Sequence, residues 1–348
     1  MKRFKLVLRM IALGLALGLA VTGCGSKQSA DQSQDKQGES GSVTVNLRLG
    51  HDQTTDTPYQ VAAEDFANAV AEKTNGKVKI EIYPGATLGD ELSMLDSLRL
   101  GDLDFSIAAA PNAASHIPEL GFFGVGYLFK DYDHFRKAMT DQTIIDRVAN
   151  LAAEKNLGFK FLGFLTTGAR SLYSIKPIRT PDDMKGVKMR VMASPVEAKV
   201  WGTLGSLPVS IPFGEVYSAL QTGVAAAAEN TPLVYVANKH QEVAPYLDLT
   251  EHQYMVSTLW VSDKTWEKLP EDVRKAVVAA AKEMTDTQIQ QTQKDEAKLL
   301  EEAGSKGVKV IRDVDKQAFI DKVLSLQDEI AKEMKLDDIL ARIRELGQ

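Results

Sequence analysis

A single cysteine, Cys24, serves all 348 residues, so neither a disulfide nor a thiolate metal site can form within one molecule. Histidine is scarce as well: five in total, His51, His116, His134, His240 and His252, set far apart and without an H-E-x-x-H pair. Their spacing argues against a metal centre, although a catalytic triad is defined in space and not by chain order. The G-x-S-x-G of hydrolases and the G-x-x-x-x-G-K of phosphate loops are missing. "GFFGVGYLF" carries Gly121, Gly124 and Gly126, but that spacing does not make a dinucleotide loop. Basic residues do not predominate: 41 Lys and Arg against 47 Asp and Glu leave a formal charge of −6. There is no basic stripe of the kind nucleic-acid binding requires, so no nucleic-acid partner is expected. No cofactor and no internal repeat is indicated.

What is present begins with the N-terminus. "MKRFKLVLRM" holds Lys2, Arg3, Lys5 and Arg9, followed by the apolar "IALGLALGLAVTG". A positive start, a short apolar run and small residues before the break make residues 1–23 a secretory signal. The run is too short for a membrane span, which needs about 20 apolar residues. "VTGC" resembles a lipobox, which implies cleavage before Cys24 and lipidation of its thiol; a free thiol after an ordinary signal peptide is the alternative. A diacylglycerol with a third chain on the amine exceeds the two chains that stable anchoring takes. Residues 24–42, rich in Ser and Gln, read as a flexible tether. Losing the leader removes four positive charges and no negative ones, so an anionic ligand would need a local basic cluster.

The remainder has the composition of a globular protein, 44% hydrophobic and 25% charged, and its length suits two domains. Strands and helices alternate from residue 43. "VTVNLRLG" is a strand, and "TPYQVAAEDFANAVAEKTNG" a helix with Thr57 as cap, Pro58 in its first turn and Gly76 as stop. "KVKIEIYPG" is a half-buried strand, "DELSMLDSLRLG" a helix ended by Gly101, and "LDFSIAAA" a further strand. This rhythm predicts βα units in a largely parallel sheet. "FKFLGFL" and "GVKMRVM" are strands, "TPDDMKG" starts a helical turn at Thr180, and "GEVYSALQTG" is a short helix stopped at Gly223. From Pro270 to Glu302 there is hardly a breaker; a helix of about 30 residues is about 45 Å long. Its second half is too polar for a coiled-coil seam, so it is expected to brace two lobes. A strand, "GVKVIRDV", and two amphipathic helices complete the chain.

In "GVKMRVMASP" (residues 186–195), period-2 alternation puts Val187, Met189 and Val191 on one face and Lys188, Arg190 and Met192 on the other. The strand alone would leave Arg190 in solvent. A wider frame changes that reading. "KGVKMRVMASPVEAKVWGTLGSLPVSIPFGEVYSALQTG" followed by "AENTPL" resembles the central signature of the DctP-type solute-binding proteins of TRAP (tripartite ATP-independent periplasmic) transporters. "TNGKVKIEIYPGATLGDELSMLDSLRLGDLDFSI", "HQEVAPYLDLTEHQY" and "LWVSDKTWEKLPEDVR" extend it from about residue 43 to the end. The resemblance implies an α/β, two-lobed periplasmic-binding-protein-like fold with a ligand cleft, a long C-terminal helix bracing both lobes, and no catalysis. It divides the chain into lobe I, 43–167 plus about 256–295, and lobe II, 168–255 plus about 296–348, with crossovers at "LTTGARS" and near Met255.

By motif position the resemblance makes Arg190 the carboxylate anchor and Arg170, in "TTGARSLYS", a second ligand arginine. It puts Phe213 of "PFGEVY" over the ligand and Asn230 of "AENTP" within bonding reach of it. A planar guanidinium fork matches both carboxylate oxygens and does not lose its proton. Each secondary assignment has a plainer counterpart: a lobe brace for Arg170, core packing for Phe213, a turn or cap for Asn230. Glu215 reads as a helix-start or interlobe group. Asn112, in "AAAPNAA", follows a strand end, where α/β folds bind ligands. Ala226-Ala227 departs from the family's usual Asp-Gly and weakens the detail of that loop.

The function implied is an extracytoplasmic, lipid-anchored, monomeric receptor. It would close by hinge motion over a small organic acid, a sugar acid or a dicarboxylate, and pass it to the membrane subunits of a TRAP permease. A binding protein of an ATP-driven importer and a secreted hydrolase or lyase acting on organic acids are the alternatives.

Overall fold

The computed structural model describes residues 45–348. The leader, Cys24 and the tether lie outside the described residues. In chain order the elements are β1 (Val45–Gly50), α1 (Pro58–Lys73), β2 (Val78–Tyr83), α2 (Glu91–Leu100), β3 (Phe105–Ala109), α3 (Ala110–Ala113), α4 (Tyr132–Met139), α5 (Gln142–Lys155), β4 (Phe159–Leu165) and β5 (Ala169–Ser174). Then come β6 (Lys188–Val191), α6 (Pro195–Thr203), β7 (Leu207–Ser210), α7 (Val216–Thr222), β8 (Ala227–Asn230), α8 (Pro232–Ala237), β9 (Tyr246–Tyr254) and β10 (Ser257–Ser262). α9 (Asp263–Lys268), α10 (Glu271–Glu302), β11 (Lys309–Ile311), α11 (Lys316–Met334) and α12 (Asp337–Leu346) end the chain.

The strands make two sheets, ordered β2-β1-β3-β10-β4 and β11-β9-β5-β8-β6-β7, one to each lobe. Local chemistry explains most elements. Asp90 caps α2 by accepting from Ser93 N at 2.8 Å, and Gly101 ends it in the left-handed conformation at φ 75°. α1 starts at Pro58, but the Thr57 hydroxyl donates to the Thr54 carbonyl and does not cap the helix. Its apolar stripe, Tyr59, Ala62, Ala63, Phe66 and Val70, packs with Leu47, Leu49 and Phe105 of the first sheet.

The expectation of a largely parallel sheet holds for β1, β2 and β3, and for β6 with β7 and β8. It fails at the junction, where β10 lies antiparallel between β3 and β4, and β5 antiparallel between β8 and β9. The reason is the route of the chain. β4 continues through residues 166–168 into β5, and β9 returns through Met255 and Val256 into β10. Each strand that arrives from the other lobe enters at the cleft end and must run backwards through the parallel set. The two segments thus form one antiparallel ribbon through both sheets.

α10 spans 32 residues, about 48 Å, and packs on α1 and β4 early and on α8 later. α12 packs on α4 and α5, where Arg342 pairs with Asp141 at 2.7 Å and the Ile343 carbonyl meets His134 Nε2 at 2.6 Å. Asp141 also caps α5 through Ile144 N at 3.2 Å. Asp141→Ala removes cap and pair together and is expected to lower unfolding free energy by about 1–2 kcal/mol, read from the urea midpoint.

Candidate ligand-binding cleft

The carboxyl ends of the parallel strands of both lobes face each other across two adjoining pockets that share Asp52, Glu91, Asn112, Arg190 and Phe213. From the first lobe come Asp52 and Gln53, just past β1, Glu91 at the head of α2, and Asn112 in α3. From the second come Arg190 on β6, Phe213 after β7, and Asn230 at the end of β8. The crossing ribbon contributes Thr167, Arg170 and Met255.

Arg190 is 2% exposed, and Met189 and Val191 on the opposite face are 0% and 1% exposed. Both faces of β6 are therefore covered, and only Lys188 remains in solvent. Arg190 Nε donates to the Ile211 carbonyl at 3.0 Å. Its two terminal nitrogens have no partner among the described residues, and no carboxylate there pairs with it. Arg170 is its opposite. Its guanidinium forks onto both Glu229 oxygens, also donates to the Glu229 carbonyl at 3.0 Å, and reaches Asn230 Oδ1 at 3.2 Å. Glu229 is 0% exposed, and although burial pushes its carboxyl up, Arg170 and His252 bring it down to about 2. The brace and the cleft placement weighed for Arg170 are both present. Asn230 Oδ1 also accepts from Thr231 N at 2.8 Å, which leaves the Nδ2 donor for the cleft.

The first-lobe wall is acidic. Glu91 accepts from Ala109 N at 3.0 Å and Asn112 Nδ2 at 2.7 Å; burial, then the neighbouring Asp52, raises its pKa well above the carboxylate range. Asp52 is raised to about 6, burial outweighing the opposing pull of Arg190. Three buried polar atoms that line this region, Asp52 Oδ1, Gln53 Oε1 and Thr167 Oγ1, have no hydrogen-bond partner among the described residues. Asn112 bridges the lobes, since its Oδ1 accepts from Ala193 N at 3.0 Å. Below it Ala109, Met192 and Met255, from three separate segments, form a small apolar contact.

All five ligand candidates from the sequence, Arg190, Arg170, Asn230, Phe213 and Asn112, thus line one cleft. Phe213 also packs on the second lobe's core beside Val216 and Leu220. Glu215 is exposed at the head of α7 and lines neither cavity. Sequence reasoning missed Asp52, Gln53, Glu91 and Thr167. The signal for the first two was available, because "HDQ" stands directly past the carboxyl end of the first strand. Glu91 is indistinguishable in sequence from an ordinary acid in a first helical turn.

The sequence profile described as Bacterial extracellular solute-binding protein, family 7, matches residues 49–334. The chain belongs to that family. A curated solute-binding protein of Chromohalobacter salexigens is 36% identical over 281 residues, 79% of this chain and 82% of its own length. Two crystal structures of TRAP periplasmic solute-binding proteins superpose closely. The one from Polaromonas sp. JS666, bound to D-erythronate, has a TM-score of 0.81 at 31% identity, covering 86% of this chain and 98% of that one. The one from Chromohalobacter salexigens, bound to D-glucuronate, has a TM-score of 0.79 at 32% identity, covering 86% and 99%. The resemblance read from residues 185–233 and its flanks is borne out, as is the two-lobed fold with its long C-terminal helix.

In this family 7 receptor the two buried arginines differ in what their removal should do to folding. Glu229→Ala strands the Arg170 cation and is expected to cost about 3–5 kcal/mol of stability. Arg190→Ala breaks no ion pair and should leave the unliganded melting temperature near that of the wild type. Calorimetric unfolding of both variants checks the contrast.

Proposed function

We propose that the cleft binds a polyhydroxylated monocarboxylate, a sugar acid of the aldonate or uronate class, through Arg190. The receptor then closes over the ligand and presents it to the membrane subunits of a TRAP permease. The observation that carries this reading is the pairing of an uncompensated buried guanidinium with unpartnered polar atoms facing it. The Arg190 fork suits one carboxylate, while Asp52 Oδ1, Gln53 Oε1 and Thr167 Oγ1 suit hydroxyl groups. A second carboxylate would meet Asp52, which is ionised above about pH 6, so the first-lobe wall argues against dicarboxylates. The relatives bound to D-erythronate and D-glucuronate span four- and six-carbon acids of this class.

One charge-assisted bond contributes roughly 1.5–3 kcal/mol, whereas micromolar affinity needs about 8 kcal/mol. Asn230, Asn112 and enclosure by Phe213 supply the rest, on the floor that Arg170 and Glu229 hold in place. Closure pivots at residues 166–168 and 255–256, with lobe I at 43–167 plus about 256–295 and lobe II in the remainder. Catalysis gains no support from the histidines. His252 meets Thr250 Oγ1 at 2.9 Å and stands 3.5 Å from Glu229, but Thr250 is 0% exposed and accepts from Leu172 N. A hydroxyl so enclosed is no accessible nucleophile. The lipobox-like "VTGC" supports anchoring through Cys24.

A thermal-shift panel tests the ligand. Aldonates and uronates at 100 times their dissociation constant should add about 2.7 kcal/mol, while succinate and aldarates should not; Arg190→Ala should abolish the shift and keep the fold. Shifts with dicarboxylates alone would overturn the reading. For the anchor, Cys24→Ala should move the protein from the membrane fraction to the soluble one and remove the lipid mass.

A further inference from the structure

We propose that Glu296, on the long helix α10, is a positioning residue of the hinge: by holding the Gly168–Ala169 backbone it sets the place of Arg170 and couples lobe closure to the proton on its own carboxyl. The proposal rests on the receptor reading for its ligand but not for its mechanics.

The long helix meets the crossing strand through side chains alone. Thr285 Oγ1 donates to the Phe164 carbonyl at 2.6 Å, and the Gln288 amide both accepts from Thr166 N at 3.0 Å and donates to its carbonyl at 2.5 Å. Eight residues further along, Glu296 Oε2 accepts from Ala169 N at 2.9 Å. These contacts cover the whole passage from β4 to β5. Gly168 turns there with φ 119°, and a Cβ at that position would collide with the Glu296 carboxyl and come within 3.1 Å of the Tyr132 hydroxyl. Glycine is therefore required both by conformation and by the approach of this one side chain. Directly after Ala169 comes Arg170, which holds Glu229 and Asn230. Moving Ala169 moves the floor of the cleft.

Glu296 is 6% exposed, and no cation pairs with it among the described residues. The Tyr132 hydroxyl, from α4, stands in hydrogen-bond contact with it and also accepts from Ala169 N at 3.2 Å. Glu251 of β9 acts on it directly, and Tyr254 of β9 lies between it and Asp131 before α4. The remaining α4 groups are taken up elsewhere, Arg136 and Lys137 by Asp133 and Asp286, and His134 by the Ile343 carbonyl. So are Asp248 and His252 of β9, by Ser174 and Thr250, and Tyr246 of β9 lies under Lys309. Lys316 of α11 is taken up by Glu251. From α8 comes Tyr235, whose hydroxyl donates to the Ala244 carbonyl. Burial, with a smaller push from Glu251, raises the carboxyl to about 8 against the opposing pull of Ala169 and Tyr132.

The sign follows from linkage. The buried setting of this structure, in which the carboxyl is raised to about 8, is taken as the closed hinge, and opening as the step that hydrates it toward the ordinary value of about 4.3. Closing therefore takes up a proton between those limits, and affinity falls as pH rises through the window and levels off above it.

The experiment uses the full chain, D-glucuronate as probe, and the variants Glu296→Gln and Glu296→Ala. Calorimetric affinity of the wild type should fall about tenfold from pH 7 to pH 9. Glu296→Gln, which keeps both hydrogen bonds and cannot ionise, should hold its pH 7 affinity across that range. Glu296→Ala should bind more weakly at every pH while circular dichroism shows it folded. Parallel pH profiles for wild type and Glu296→Gln overturn the proposal, as does full affinity in a folded Glu296→Ala. Spin labels on the two lobes provide a ligand-free arm, in which the interlobe distance should widen between pH 7 and pH 9 in the wild type and not in Glu296→Gln. If D-glucuronate does not bind, that arm decides the hinge by itself: equal distances in the two proteins overturn it, and the ligand assignment fails separately.

Discussion

A guanidinium removed from water must be compensated, and Arg190 is compensated from the protein side by one carbonyl, that of Ile211. Burying a cation on such terms is costly, and the rest of the cleft is arranged around that cost. Asp52 and Glu91 stand close enough to be felt but do not pair with it, and burial raises both carboxyls. A fully formed ion pair at Arg190 would have stabilised the empty protein and competed with any anion. The second buried arginine takes that other course: Arg170 is committed to Glu229 and serves as a fixed floor.

The second constraint is mechanical. Because the chain crosses between lobes and returns, one antiparallel ribbon threads both sheets, and everything between β4 and β5 has to be held without a third strand. α10 does this with Thr285, Gln288 and Glu296, whose side chains take the place of a neighbouring backbone. Side-chain hydrogen bonds can be exchanged one at a time, which suits the bending proposed for this junction. The proposed pivot at residues 166–168 and the floor of the cleft at Arg170 are separated by Ala169 alone, so under the proposed closure the peptide itself would couple them.

Much of this was legible in the chain. The helix from 271 to 302, the stops at Gly101 and Gly223, the Thr180 turn and the alternation of β6 all follow from local rules that the folded protein obeys. The resemblance pointed to four cleft residues, Arg190, Arg170, Phe213 and Asn230, and the strand-end rule added Asn112. Illegible were the antiparallel insertions of β5 and β10, since strand direction depends on where a chain re-enters a sheet. Also illegible were Glu91 and Glu296, each an unremarkable acid in a polar helical segment.

The sequence by itself determined the elements and the family and singled out Arg190 for the cleft, because capping, periodicity and motif spacing are local properties. Only the tertiary structure decided that Arg170 is neutralised and Arg190 is not. Both are arginines in strands with alternating faces; what separates them is a glutamate 59 residues away from one and absent from the other. Such compensation depends on distance through space, which no local pattern encodes.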